Sequence, residues 1–220
     1  MKIARLSIAF FLGLLLTGCD TARSPLPRMG PRYTPSNIYL KSPVLDPRIR
    51  RVAVLPMTPI VPTEALQAGV EGCQPLLQAE LQKTKRFEVV VVPQQLLARL
   101  TGQPRWSAED KLPQDFFDKL HNETACDAIF FATLTRYQPY QPLAVGWKLN
   151  LVANSDHASV WSADELFDAG NMGVANSARD YADKDIRYEG PLDDPDAILS
   201  SPSRFSQYTL RTLLATLPAR

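Results

Sequence analysis

Histidine is close to absent from this chain, at two residues in 220, and cysteine is scarce at three. Those shortages remove most metal chemistry. His121 and His157 have no second histidine at helical spacing, and no cysteine has a partner at zinc-ligand spacing. A surplus of charge of one sign is also missing, since 24 basic side chains meet 23 acidic ones for a formal charge of +1. Proteins that bind nucleic acid by neutralising phosphates carry a strong basic excess, so a nucleic-acid partner is not expected. The sequence has no Gly-rich phosphate loop, no Gly-x-Ser-x-Gly elbow and no His-Glu-x-x-His. The acidic stretch Asp193, Asp194 and Asp196 lacks EF-hand spacing and the distal glutamate, and reads as a solvated loop stopped by Pro195. No catalytic set, metal or cofactor is therefore expected. What is present is a globular composition, 45% hydrophobic and 21% charged, at a length that suits one domain with or without a tail.

The first apolar run, Ile8 to Leu16, is too short to span a bilayer comfortably. Lys2 and Arg5 precede it and Leu16-Thr17-Gly18-Cys19 closes it, the order of a secretory signal. The quartet resembles the lipobox of bacterial lipoproteins, in which the cysteine receives diacylglycerol and becomes the first residue after cleavage. The resemblance makes residues 1–18 a signal peptide and Cys19 the lipidation site. Losing Lys2 and Arg5 takes the formal charge from +1 to −1, so membrane attachment rests on acyl chains, at about 0.8 kcal/mol per buried methylene. The expected address is the cell envelope, lipid-anchored and facing the periplasm. Asp20 resembles an enterobacterial inner-membrane retention signal, and inner versus outer membrane stays open. In an oxidising compartment Cys73 and Cys126 could form a disulfide or stand apart as two core cysteines, and both arrangements stay open.

Nine prolines between Ser24 and Pro62 suggest that residues 19–49 are a lipidated, proline-rich tether, at about 3.1 Å per residue in extended form. The alternative is that Tyr33, Ile38, Tyr39 and Leu40 pack on the domain or on a neighbouring subunit. Residues 50–220 read as a single α/β domain. Val52-Ala53-Val54-Leu55 is a strand buried on both faces, and Phe87 to Val92 is another. Leu66, Val70, Cys73, Leu77 and Leu81 form a helical stripe across 63–85, in which Pro75 predicts a kink or two abutting helices. A short helix near 94–100 and a second opening near Ser107 lead to a third strand at 127–137. Residues 144–154 alternate, with Val145, Trp147, Leu149 and Leu151 on one face, and 159–167 makes the hairpin partner. A final helix places Leu210, Leu213, Leu214 and Leu217 on one side. The order β-α-β-α-β-β-β-α predicts a mixed sheet of about five strands with packed helices.

The phrases "RRVAVLPM", "KRFEVVVV", "CDAIFFATLTRYQPY", "VGWKLNLVANSD" and "SVWSADELFDAG" resemble an envelope-lipoprotein superfamily. Its members include curli secretion lipoproteins, the Pel polysaccharide export lipoprotein, lipoprotein activators of penicillin-binding proteins and the amino-terminal domain of TolB. The resemblance covers roughly residues 50–170. It implies a non-enzymatic binding or assembly protein whose partner is another envelope protein or further copies of itself in a ring. Residues 168–190 carry too many charges, Asp168, Arg179, Asp180 and Asp183 among them, to form the lipid-facing hairpin of a curli-type pore. Trp147 and Trp161 read as core. Tyr137 and Tyr140, flanked by Pro139 and Pro142, read as partner contacts. The expected role is an assembly or adaptor lipoprotein, possible within an export or secretion complex. Two alternatives stand beside it, an activator of a periplasmic cell-wall enzyme and a small-ligand binder or enzyme with a site assembled from scattered residues.

Overall fold

The computed structural model describes residues 29–184 and 195–220; the signal segment, Cys19, Asp193 and Asp194 lie outside them. The chain forms β1 (Ile38–Leu40), β2 (Arg51–Val54), β3 (Thr58–Pro59), α1 (Glu64–Thr84), β4 (Glu88–Val91), α2 (Gln94–Thr101) and α3 (Phe116–Thr124). It continues through β5 (Ala128–Gln138), β6 (Ala144–Ala153), β7 (Ser159–Asp168), α4 (Met172–Lys184), a 3-10 turn (Pro195–Ser200) and α5 (Pro202–Leu214). One seven-stranded sheet runs β1-β7-β6-β5-β2-β4, with β3 beside β5. β2 is parallel to β4 and β5, whereas β5-β6, β6-β7 and β1-β7 are antiparallel. The α/β expectation holds, with seven strands in place of about five.

Two apolar clusters lie on opposite faces of the sheet. Val52 and Val54 of β2 join the cluster under α1, α4 and α5, while Ala53 and the following Leu55 join the one under α2 and α3. β5 divides the same way, Phe130 and Ala132 against Ile129 and Phe131. With both faces covered, neither strand start has a place for a polar residue, hence the continuous apolar runs. α2 and α3 do not reach across β6 and β7. Trp147, Leu149, Leu151 and Trp161 are therefore buried on one face only, and Lys148, Asn150 and Ser162 are half-buried on the other, beside the exposed Asp164. Each indole is satisfied as well as buried: Trp147 Nε1 donates to Thr209 Oγ1 at 2.9 Å and Trp161 Nε1 to Thr216 Oγ1 at 3.0 Å.

Three local expectations need correction. The stripe across 63–85 is one helix, α1, with Pro75 inside it on the exposed side, which removes the alternative of two abutting helices and leaves that of a kink standing. The helix expected from Ser107 starts at Phe116 instead. Ser107 N donates to Asp110 Oδ2 at 2.7 Å and Glu109 N to Ser107 Oγ at 3.2 Å, bonds that close a local turn, and Pro113 follows.

The third correction concerns the described part of the expected 19–49 tether; residues 19–28 lie outside the described residues. From Arg32 onward this segment is a strap packed on the domain, as the alternative held for Tyr33 and Ile38. Arg32 pairs with Asp180, the Tyr33 ring meets Phe167 edge-on at 5.0 Å, and β1 extends the sheet along β7. Glu165 explains why: its carboxylate is 8% exposed and accepts hydrogen bonds from Tyr33 Oη, Ser36 N and, at 2.7 Å, Asn37 N. A buried carboxylate needs donors, and the strap supplies three.

Candidate functional site: a polar cavity at the hairpin end

The β6-β7 hairpin gives the sheet two distinct ends. At one end lie the β5-β6 turn, the last residues of β7 and the start of the strap. At the other lie the 154–158 turn, the beginning of β5 and the 41–49 loop. Ten residues of β6 separate them, about 30 Å of strand. The second end contains a cavity of about 780 Å³ lined by the 41–49 loop, Asp118 and His121 of α3, Asp127 and residues 153–156.

Most of its charges are already committed. Lys41 Nζ meets Asp156 Oδ2 at 2.8 Å, and that hydrogen bond raises the ammonium and lowers the carboxyl from their ordinary values. Arg48 grips Asp46 through both oxygens and holds its carboxyl down to about 2. Asp127 Oδ2 accepts from the Arg50 and Arg51 amides at 2.8 and 3.0 Å, fastening the entry to β2. His121 Nδ1 lies 2.8 Å from the Cys126 carbonyl, which can only accept, so Nδ1 bears the hydrogen of that bond. Asn154 Nδ2 donates to the same carbonyl at 2.9 Å, while its Oδ1 is buried without a partner. The chain's last residues brace the loop: Leu45 N donates to Ala219 O, Ala219 N to Pro43 O, and Arg220 Nη1 to Ile49 O at 2.7 Å.

This arrangement can bind polar groups, and it does not assemble a nucleophile. Neither Ser42 nor Ser155, which line the cavity, is hydrogen-bonded to His121, and His121 has no carboxylate on its Nδ1 to orient it. The cavity opens at the amino ends of β2 and β5, whereas ligand sites in open α/β sheets form at the carboxyl ends. Among the described residues no group of three or more metal-ligating side chains comes together.

The structure separates the residues singled out by sequence. Cys73 and Cys126 are both free and buried, one in each apolar cluster, so the sheet stands between them and the disulfide alternative falls. Burial pushes the Cys73 thiol up to about 11. Tyr137 is not a free surface residue. Its ring packs on the α1 cluster, so close to Gly69 that a Cβ there would lie 2.6 Å from Tyr137 Cγ, and burial raises its phenol. Tyr140 is exposed, as expected. His157 stacks on Phe117 at 4.2 Å. Asp196 pairs with Arg179. Sequence reasoning missed the cavity because its walls come from four separate stretches and carry no shared spacing; the side chain of Asn154 was the one available signal, sitting at a turn in a strongly apolar hairpin.

Among the described residues no helix is long and apolar enough to cross a membrane. No protein-family model and no curated protein matches the chain. Solved structures similar to it include the PelC dodecamer from Paraburkholderia phytofirmans, at 12% identity over 83% of this chain and 96% of that one, with a TM-score of 0.46. Lipoprotein GNA1162 from Neisseria meningitidis is similar at 20% identity over 63% and 97%, TM-score 0.42. The LpoB C-terminal domain from Salmonella enterica is similar at 14% identity over 54% and 82%, TM-score 0.35. The solved structures that the chain is similar to thus include PelC, lipoprotein GNA1162 and LpoB, each at 20% identity or less.

Proposed function

We propose that the protein is a lipid-anchored adaptor of the bacterial cell envelope, without catalytic activity, that holds its α/β body close to the membrane and offers its polar cavity to an envelope partner. The observation that carries this reading is the strap. Because the domain begins at about Arg32 and not at residue 50, only some thirteen residues separate it from Cys19, which limits its reach to about 45 Å even fully extended. The strap then runs antiparallel to β7, from the end where the chain enters toward the cavity end. An anchor at Cys19 therefore leaves the cavity facing away from the lipid. So short a link favours a partner at the membrane over an enzyme that must be reached across the cell wall.

The test is envelope fractionation of the wild type and C19S, with mass spectrometry of the amino-terminal peptide. The wild type is expected in the membrane fraction with an acyl mass on Cys19 as the first residue, and C19S to carry no acyl mass and to keep residues 1–18. A wild-type protein that is soluble and unacylated overturns the anchored reading. Native mass of the mature protein then separates two partners, since a discrete oligomer means self-assembly and a monomer means a different envelope protein.

A further inference from the structure

Opposite the cavity, the end where the chain enters carries an unusual concentration of exposed apolar side chains. Met29 is 95% exposed, Tyr140 79% and Met172 65%. They come from three stretches that the fold brings together. A Cβ on Gly30 would lie 4.0 Å from Met172 Sδ, which sets Met29 beside the start of α4. A Cβ on Gly170 would lie 3.7 Å from Pro142 Cβ, and Ala169 N donates to Leu143 O at 2.8 Å, which sets the Tyr140 turn beside the end of β7. Leu166, also exposed, flanks them two residues inside β7. The cavity end also exposes Leu40 and Val44, but its rim carries Lys41, Asp46, Arg48 and Asp156, charges that the entry-end patch of Met29, Tyr140 and Met172 does not include.

We infer that this end is a membrane-contacting surface whose occupant is the headgroup and upper acyl region of the bilayer that holds the anchor. The inference rests on the reading of Cys19 as the lipidated residue. Cys19 precedes Met29 by ten residues, about 35 Å at full stretch, so the patch is the part of the domain that the anchor confines nearest the lipid. Confinement of that kind raises the effective concentration of lipid at the patch, so contacts too weak to recruit a free protein still decide the orientation of a tethered one. The residue types suit the interface: a tyrosine ring places its apolar body inward and its hydroxyl at the headgroups, and unbranched methionines adapt to a fluid boundary. The domain then stands with β5, β6 and β7 directed away from the bilayer and the cavity roughly 30 Å above it.

The experiment couples the mature chain through the Cys19 thiol to a maleimide-headgroup lipid in phosphatidylcholine vesicles, so that it does not depend on acylation by a cell; Cys73 and Cys126 are buried and do not compete. M172W and S155W place a fluorescent indole at the patch and at the cavity end, both exposed positions, above the common background of Trp106, Trp147 and Trp161. With brominated phosphatidylcholine, the added M172W emission is expected to fall by roughly twofold and shift to the blue, as for a side chain about 5–10 Å into the interface, while S155W is unchanged. Equal quenching of both variants, or no quenching of M172W, overturns the proposal. Fractionation of the acylated protein fails or succeeds independently of this result, so a failure of the anchor and a failure of the patch are told apart.

Discussion

Replacing Glu165 with alanine removes the acceptor for three donors at once: the Tyr33 hydroxyl and the Ser36 and Asn37 amides. A buried donor left without a partner costs about 1–3 kcal/mol, and three would cost more than the strap gains by staying docked. The strap therefore peels away and its donors bond to water, which limits the loss to the docking free energy itself, about 2–3 kcal/mol. The change is local, because β5 and the two apolar clusters do not depend on Glu165. Hydrogen exchange reads it directly at the Lys41 amide, which donates to Val160 O, and at the Asp164 amide, which donates to Asn37 O. At 1.4 kcal/mol per factor of ten, both should lose protection by roughly 30- to 150-fold in E165A. The Leu55 amide, bonded to Phe130 O in the sheet centre, should not change. E165Q should fall between, because its carbonyl can still accept from the backbone amides and its NH2 can donate to the Tyr33 oxygen, but the bonds lose their charge assistance. Strap amides in E165A protected to within about threefold of the wild type would refute the argument that this carboxylate holds the strap.

Three further predictions concern the core. Cys73 and Cys126 should resist a thiol reagent at pH 8 in the folded protein and react together on unfolding in urea; reaction of either in native buffer would contradict their burial. Burial raises the Cys73 thiol from the ordinary value of about 9 to about 11 in the fold, so the unfolded chain releases its proton first. Its contribution is then whole below pH 9 and lost as pH rises toward 11, by about 2–3 kcal/mol, and urea midpoints of wild type against C73A should converge over that window. Gly69→Ala should destabilise by about 1–2 kcal/mol: the new methyl overlaps the Tyr137 ring and Leu134, and the gain in helix propensity of about 1 kcal/mol offsets only part of that. A midpoint in G69A above that of the wild type would mean that α1 can lift from β5 at no cost.

Strands buried on both faces and the long amphipathic helix were legible because burial is periodic and so is the sequence that provides it. β1 was not. Ile38-Tyr39-Leu40 is three residues among prolines, too short to alternate, and it becomes a strand because β7 presents an open edge and Glu165 an unfilled acceptor. β3 was hidden for a related reason, being two residues long with Pro59 in it, at a place where only one neighbour needs its backbone. The start of α3 was lost to a local competition, Asp110 and Ser107 closing a turn where acidic residues had suggested a helix amino terminus. Cys73 and Cys126 could not be placed relative to one another without knowing that α1 lies on one face of the sheet and the β5 entry on the other. The patch at Met29, Tyr140 and Met172 was half visible, through Tyr140 alone, since only the closed fold brings its three stretches to one end.

The bracing of the 43–49 loop by Ala219 and Arg220 has a practical side for anyone handling the protein. Ala219 and Arg220 are a strut of the cavity wall, so R220A, which removes the bond to the Ile49 carbonyl, would loosen the rim from a distant point in the sequence. Such a change is expected to disturb the cavity rim while leaving the two apolar clusters of the sheet untouched. An insertion in the exposed loop at Gly102 and Gln103 would leave that strut alone.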